Sequence, residues 1–125
     1  MEIKKKVWGW ELILVSNELY SCKIMVLKKG YQCSIHHHEM KDETFVLLSG
    51  DVLLMCGKRD DEPGMELFKP YRICPGTAHR FAGYSPYSFL LEVATADREY
   101  DSYRETESGP IVAKWTEKEI IEREG

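Results

Sequence analysis

A run of three histidines near the middle of the sequence contains the first residues whose spacing could support chemistry. His36 and His38 are two positions apart in a stretch with strand character. Side chains two apart in a strand lie on the same face, roughly 6.5–7 Å apart along the chain, so His37 must point the other way. Glu43 follows a short turn and could reach the same point from the next strand. The pattern predicts a site for one metal ion.

The ligand types indicate which ions such a site could hold. Neutral imidazoles with one carboxylate suit borderline divalent ions such as Zn, Mn, Fe, Co or Ni, and they leave coordination positions open for water or substrate. Cys33 and Cys74 could be thiolate ligands instead. Cys33 is an odd number of residues from His36 and should face away on a regular strand. We therefore interpret both cysteines as core residues.

The elements that must position these residues are short strands. Runs rich in aliphatic, aromatic and β-branched residues alternate with Gly, Pro and Asn, and they predict strands over 7–16, 19–28, 32–38, 43–49, 51–56, 66–68, 71–74, 79–83 and 87–95. Gly50 predicts a hairpin between 43–49 and 51–56. Residues 97–110 resemble a long polar arm, and Thr116 with Glu119 predicts a short helix, or a docking tail, over 116–124. Many short strands indicate an all-β sandwich or barrel.

Composition limits the class of protein. The 125 residues suit one domain, and 43% apolar with 30% charged residues is typical of a globular chain. The net charge of −4 argues against a nucleic-acid partner, and we interpret the basic run 4–6 as a solvated start to the first strand. No apolar stretch approaches the ~20 residues that cross a bilayer, and no signal peptide opens the chain. We expect no membrane partner, a cytoplasmic location and reduced cysteines.

Two motifs resemble those of the cupin superfamily. The run from Gly30 to Gly50 reads GYQCSIHHHEMKDETFVLLSG, and it matches the first cupin motif: glycine, five residues, His-x-His, three or four residues, glutamate, six residues, glycine. The run from Cys74 to Phe81 resembles the second motif, with the Gly-x-x-His core at Gly76 and His79. Cys74 and Gly83 replace the usual proline and asparagine there, and neither position is a metal ligand in the family.

The resemblance implies a fold, a ligand set and an assembly. It implies a double-stranded β-helix (jelly-roll) barrel over about residues 7–95, with the polar arm and the C-terminal helix or tail over 97–125, in a single domain of residues 1–125. It also implies that one divalent metal ion is bound by His36, His38, Glu43 and His79, and that the protein forms a homodimer.

Shorter resemblances suggest a reaction. The stretch Ser34 to Phe45 is similar to the first motif of sugar-isomerising cupins, the D-lyxose isomerase and type II mannose-6-phosphate isomerase groups, and the segment 92–104 resembles the acidic, Arg-containing segment of the same proteins. They imply aldose–ketose isomerisation of a sugar or sugar phosphate through a metal-stabilised enediolate. Lys41 and Glu92 are the candidate catalytic residues. Candidates for holding sugar hydroxyls or a phosphate are Arg80, Tyr84, Tyr103 and Arg104.

Two other classes of function fit the same residues. Three histidines and a glutamate loaded with Fe(II) resemble the site of cupin dioxygenases, which act on thiols or aromatic diols. A non-catalytic module that binds a sugar or a metal is the third possibility, because the chain is barely larger than the barrel itself.

Overall fold

The structure is a computed structural model that describes residues 1–57 and 64–111. All regular structure in these ranges is β-strand, which confirms the all-β prediction, and the helix predicted over 116–124 lies outside them. Within these ranges there is no apolar helix of membrane-spanning length. The strands are β1 (Glu2–Lys6), β2 (Gly9–Ser16), β3 (Tyr20–Lys28), β4 (Tyr31–Gln32), β5 (His36–His37), β6 (Glu43–Ser49), β7 (Val52–Cys56), β8 (Pro70–Ile73), β9 (His79–Gly83), β10 (Tyr87–Thr95), β11 (Tyr103–Arg104) and β12 (Gly109–Pro110).

Two antiparallel sheets pack face to face. The first sheet has the order β1-β2-β3-β10-β6-β8. In the second, β9 is central: β7 pairs with it, β4 and β5 also pair with it, and β11 and β12 extend the sheet beyond β5 and β4. The long strands alternate buried and partly exposed residues with period two, as expected for a sheet with one face on the core.

The core fills most of the space between the sheets and leaves one end to polar groups. Leu27, Phe45, Leu47 and Leu90 are almost completely buried in the first sheet. Phe81 of the second sheet meets Phe45 with ring centroids 6.1 Å apart. At the other end, the inward positions of the first sheet carry charged residues instead, including Glu43 at the start of β6. The apolar packing therefore forms the floor beneath a polar end of the molecule.

The hairpin predicted around Gly50 is wrong. Strand β6 pairs with β10 and β8 in the first sheet, whereas β7 pairs with β9 in the second. Gly50 has φ +94°, and a Cβ there would lie 2.7 Å from Ser88 Cα, so the position requires glycine. The turn carries the chain from one sheet to the other, and a local turn signal cannot distinguish this crossing from a hairpin.

Several other predicted boundaries differ in the structure. The strand predicted over 32–38 is split into β4 and β5, and no strand forms over 66–68, where Leu67 makes only an isolated bridge to Leu47. The lysine run 4–6 belongs to a separate strand, β1, at the edge of the first sheet. The predicted polar arm contributes β11 and β12, which pair with β5 and β4. The arm is therefore part of the second sheet.

Candidate functional site

Three histidine side chains converge where β5 meets β9. His36 is paired with His79 across the two strands, and side chains directly opposite each other project from the same face of a sheet. The ring centroids of His36 and His79 are 4.4 Å apart, and that of His38 lies 5.1 and 5.6 Å from them. One ligand nitrogen from each ring lies within 4.8 Å of the others. His37 stacks on Tyr103 instead, which confirms that it points away.

Backbone carbonyl groups set the tautomer of all three rings. The Nδ1 atoms of His36, His38 and His79 lie 2.9, 2.6 and 3.0 Å from the carbonyl oxygens of Ser34, Asp101 and Thr77. A carbonyl oxygen only accepts, so each Nδ1 must donate and each neutral ring keeps its lone pair on Nε2.

The electrostatics favour neutral imidazoles at two of these positions. Burial, together with the neighbouring His79, lowers the pKa of His36 to about 4. Burial also lowers the pKa of His38, although Glu43 opposes this shift. Both rings are therefore unprotonated near neutral pH, the state in which imidazole binds a metal.

Glu43 brings a carboxylate to the histidines from the opposite sheet. Its Oε1 lies 2.8 Å from Nε2 of His79 and 3.8 Å from Nε2 of His38. Burial alone would raise the pKa of Glu43, but nearby positive charge, including that of Lys41 3.4 Å from Oε2, holds the pKa well below its usual range. The side chain is therefore an anionic carboxylate facing nitrogen lone pairs.

Lys41 is a buried cation beside this carboxylate. Its Nζ lies 3.4 Å from Glu43 Oε2, 3.1 Å from Glu92 Oε1 and 3.4 Å from Asp97 Oδ1. Burial opposes its charge, but the three carboxylates raise the pKa of Lys41, so the side chain is an ammonium. Burial and the neighbouring Glu43 raise the pKa of Glu92. The two predicted catalytic candidates are therefore in direct contact next to Glu43.

Lys23 extends the charged cluster toward the molecular surface, and it was not predicted. Its Nζ bonds to Asp97 and lies 3.2 Å from Glu11 Oε1, and Glu11 Oε2 lies 3.9 Å from Lys6. Lys23 and Glu11 occupy inward positions of strands β3 and β2. Charged residues at inward positions of amphipathic strands are the signal that could have identified them.

Asp101 is a second unpredicted residue, and it holds the loop that carries His38. It is almost completely buried, and its carboxylate accepts hydrogen bonds from the amides of Glu39, Met40 and Lys41 at 2.8, 3.1 and 3.0 Å. Its carbonyl oxygen accepts from His38 Nδ1. The glycine of the second motif, Gly76, helps from the other side, because its amide donates to the carbonyl oxygen of His38 at 2.6 Å.

We expect Asp101→Ala to weaken metal binding about tenfold and to destabilise the fold by about 1–3 kcal/mol. The physical reason is that three buried or half-buried amides lose their acceptor and the support of His38 loosens. Metal titration and urea unfolding measure the two effects. Asp101→Asn retains one acceptor oxygen and should recover part of both losses, whereas wild-type metal affinity in Asp101→Ala would contradict this role.

Comparison with known proteins identifies the fold. No protein-family model matches the sequence, and no curated protein is significantly similar to it. The structure of KdgF from Halomonas sp. matches with a TM-score of 0.71 at 12% identity, over 80% of this chain and 90% of that one. The cupin domain of Schizosaccharomyces pombe Cnp3 matches with a TM-score of 0.66 at 10% identity, over 78% and 69% of the two chains. The fold is that of a cupin.

A third similar structure belongs to a longer protein. A protein assigned as a sugar phosphate isomerase from Acidithiobacillus ferrooxidans matches with a TM-score of 0.55 at 16% identity, over 63% of this chain and 51% of that chain. The matched part of this chain thus spans about half of the longer protein. At these identities the three likenesses concern the fold.

The residues of this site fit a divalent metal ion. Nε2 of His79 and both carboxylate oxygens of Glu43 are buried and have no hydrogen-bond partner in residues 1–57 and 64–111. Two acceptors 2.8 Å apart in a buried site repel each other unless a cation lies between them. Three imidazoles with one carboxylate are suitable ligands for Zn, Mn, Fe, Co or Ni.

The site opens into a cavity of about 640 Å³, which reaches only some of the predicted substrate-binding residues. His36, His38, Lys41, Glu92 and Arg104 line it. Tyr103 is outside the lining and stacks on His37.

Two further predicted residues lie elsewhere. Arg80 donates to the carbonyl oxygen of Cys33 at 2.9 Å and to Thr106 Oγ1 at 2.8 Å. Tyr84 is exposed after the end of β9. Neither lines the cavity.

The two candidate cysteines differ from each other. Cys33 is buried, as predicted, and its Sγ accepts from the amide of Phe81 at 3.3 Å. Cys74 is exposed, so its interpretation as a core residue is wrong. Neither belongs to the group of side chains in the described ranges that could hold a metal.

Proposed function

We propose that this cupin binds one divalent metal ion and catalyses aldose–ketose isomerisation of a sugar or sugar phosphate. The observation that supports it best is the placement of the Lys41–Glu92 pair beside Glu43, on the wall of the cavity that His36 and His38 also line. His36, His38, His79 and Glu43 would hold the ion. When bound, a divalent ion supplies positive charge that polarises a carbonyl group and stabilises negative charge on its oxygen.

The protein side chains would move and hold the proton. Isomerisation moves a proton from the hydroxyl-bearing carbon to the neighbouring carbonyl carbon, and the hydroxyl proton to the carbonyl oxygen, without net oxidation. Glu92 is the group that carries this proton, because its carboxyl faces the cavity and has a raised pKa. Lys41 remains charged through its three carboxylate contacts, so its ammonium group holds Glu92 in position through their ion pair.

The substrate class rests on the cavity and on the similar structures. A volume of about 640 Å³ is in the range of small-molecule sites. The lining includes polar groups suited to hydroxyl recognition, among them Ser34, Ser102, Ser108 and Arg104. One of the similar structures is assigned as a sugar phosphate isomerase, which supports this class.

Proton exchange into substrate would test the proposal. Protein stripped of metal and reloaded with Mn, Co, Zn, Ni or Fe is incubated in D₂O under nitrogen with aldoses, ketoses and their phosphates. NMR should show deuterium entering at the carbon next to the carbonyl, together with interconversion of the two sugars. Glu92→Gln should lower the rate by about 10²–10⁴-fold while metal remains bound.

A matched control and two other outcomes define the test. Glu99→Gln removes a carboxylate from the same cavity wall and should keep most of the rate. Oxygen uptake by the Fe-loaded protein in a parallel incubation under air, without deuterium exchange under nitrogen, would identify a dioxygenase. Saturable sugar binding without exchange at any metal would identify a binding module. Either result would overturn the isomerase proposal.

We also propose that the protein is a homodimer joined through the outer face of the first sheet. Outward positions of the four central strands are apolar almost throughout, where an exposed sheet face is ordinarily polar. Phe89 is paired with Val26, and Leu91 with Ile24. The outward apolar residues are Trp10, Leu12, Cys22, Ile24, Val26, Val46, Leu48, Phe89, Leu91 and Val93. Such a face is complementary to its own copy, as a two-fold dimer requires.

Light scattering after size-exclusion chromatography measures this assembly. The wild-type protein should have twice the mass of one chain. Val93→Lys, which places a charge on a residue 42% exposed on this face, should shift it to a monomer. Tyr100→Lys changes an exposed residue away from the face and should leave the dimer intact. A wild-type monomer at micromolar concentration would contradict the proposal.

A further inference from the structure

The mouth of the cavity is positively charged in a protein that is acidic overall. Inside the cavity, Lys23 and Lys41 are matched by the carboxylates of Glu11, Glu92 and Asp97. The remaining charged residues of the lining are five basic ones, at 4, 5, 6, 98 and 104, and two exposed acidic ones, at 99 and 107. The whole chain carries a net charge of −4. The excess of positive charge is therefore local to the mouth.

Strand β1 supplies two of these cations from one side. Lys4 and Lys6 are two apart and share a face of the strand, and both are half-buried, whereas Lys5 between them is exposed. Lys4 is directly opposite Glu11 in the register of β1 and β2, and Glu11 points inward. The side chains of Lys4 and Lys6 therefore lie on the cavity side of the sheet edge, whereas Lys5 is exposed to solvent.

Arg104 supplies a cation from the other sheet. It is paired with His36 across β11 and β5, so the guanidinium projects from the same sheet face as a proposed metal ligand. Arg104 lines the cavity, and its guanidinium makes no hydrogen bond or ion pair with any residue in the described ranges. Its five N–H donors are thus available to a ligand.

The chemistry of these groups selects an anion. A guanidinium binds the two oxygens of a phosphate or carboxylate in parallel, and lysine ammonium groups add point charges. Lys4 and Lys6 lie only at the outer limit of an ion pair, 4.0 Å from Glu2 and 3.9 Å from Glu11, so their charges can also act on a bound anion, whereas neutral hydroxyl groups need no such excess of cations. Partial burial of Lys4 and Lys6 also makes their charges less screened than those of fully exposed lysines.

We propose that Arg104, Lys4 and Lys6 form a subsite for a phosphate or carboxylate group of the substrate at the mouth of the cavity. The subsite would select anionic sugars as substrates of the isomerase, and its role in catalysis rests on that proposed function. Anion binding itself needs no metal, so the two proposals can fail separately.

Calorimetric titration with inorganic phosphate, glucose 6-phosphate, glucuronate and glucose would test the subsite. Lys4→Gln/Lys6→Gln and Arg104→Gln should each weaken binding of the anions at least tenfold and leave glucose binding within twofold. The matched control Lys29→Gln/Lys69→Gln removes two lysines outside the cavity and should bind like the wild type. Raising the salt concentration should weaken binding of the anions but not binding of glucose.

The pattern of losses identifies which proposal fails. Glu43→Gln, which changes a proposed metal ligand, should still bind inorganic phosphate with the wild-type affinity. Binding of glucose 6-phosphate but not glucuronate would assign the subsite to phosphate, and the reverse result to carboxylate. The subsite would be overturned if neither anion bound the wild type more tightly than glucose, or if the mouth variants and the control bound them equally. If the protein still exchanged deuterium into neutral sugars in that case, the isomerase proposal would stand although the subsite proposal had failed.

Discussion

Replacing Lys41 by methionine is expected to lower the free energy of unfolding by about 3–5 kcal/mol. Lys41 is 4% exposed and contacts three carboxylates, those of Glu43, Glu92 and Asp97. Removing one member of a buried ion pair leaves the others without compensation in a medium of low dielectric constant. Methionine has a similar length and no charge, so the loss reports electrostatics rather than a cavity. Urea unfolding of the metal-free protein measures it.

A surface control and a compensating variant separate charge from packing. Lys69→Met removes an exposed lysine that is 3.1 Å from Glu66 and should change stability by less than about 0.5 kcal/mol. Adding Glu92→Gln to Lys41→Met should restore at least about 1 kcal/mol, because one unpaired carboxyl is then removed. A cost below about 1 kcal/mol for Lys41→Met alone would mean that the cluster is hydrated in solution.

Glu43→Gln is expected to weaken metal binding at least about 100-fold. Loss of a hydrogen-bond partner outside the ligand set already costs about 10–100-fold, and this change removes the carboxylate itself. The amide has the same shape, but it places no negative charge next to Nε2 of His79, now 2.8 Å from Oε1. Competition with a chromophoric chelator measures the affinity.

Glu39→Gln is the matched control for this change. Glu39 is exposed in the loop that precedes Glu43, and its carboxylate lies 4.0 Å from His37. The side chain of His37 points away from the site. Replacing Glu39 should change the affinity for metal by less than about twofold relative to the wild type. Equal affinities for Glu43→Gln and the wild type would remove Glu43 from the site.

The proposed metal ligands could be identified from the sequence because they lie in short sequence motifs. His36 and His38 are two apart, and the Gly-x-x-His pattern of the second motif marks His79. Strand pairing then places His36 directly opposite His79. His38 follows the end of β5, so strand periodicity alone did not establish its position; the hydrogen bonds of its ring and carbonyl oxygen do.

The support of the site could not be predicted because it is non-local. Asp101 is about sixty residues from the amides that it binds, and Lys23 is 74 residues from Asp97. Neither residue has a neighbour in sequence that indicates these contacts. Residues 97–110 read as a polar arm because their polar side chains bond to the second sheet, for example Thr106 to the amide of Ile35 and Ser108 to that of Ser34.

The crossing at Gly50 illustrates a related limit. The runs 43–49 and 51–56 have the composition of hairpin strands, and both form strands. Their partners are decided by register with β10 and β9, which lie far along the chain. Turn residues predict that the chain reverses there, but not which sheet the second strand joins.

A crystal structure of the protein soaked with Co²⁺ or Zn²⁺, with anomalous diffraction measured at the metal edge, tests the central claim most directly. We predict one anomalous peak per chain, about 2.0–2.2 Å from Nε2 of His36, His38 and His79 and from a carboxylate oxygen of Glu43. The absence of a peak between these four residues, or a peak held by other side chains such as Cys74, would contradict the account.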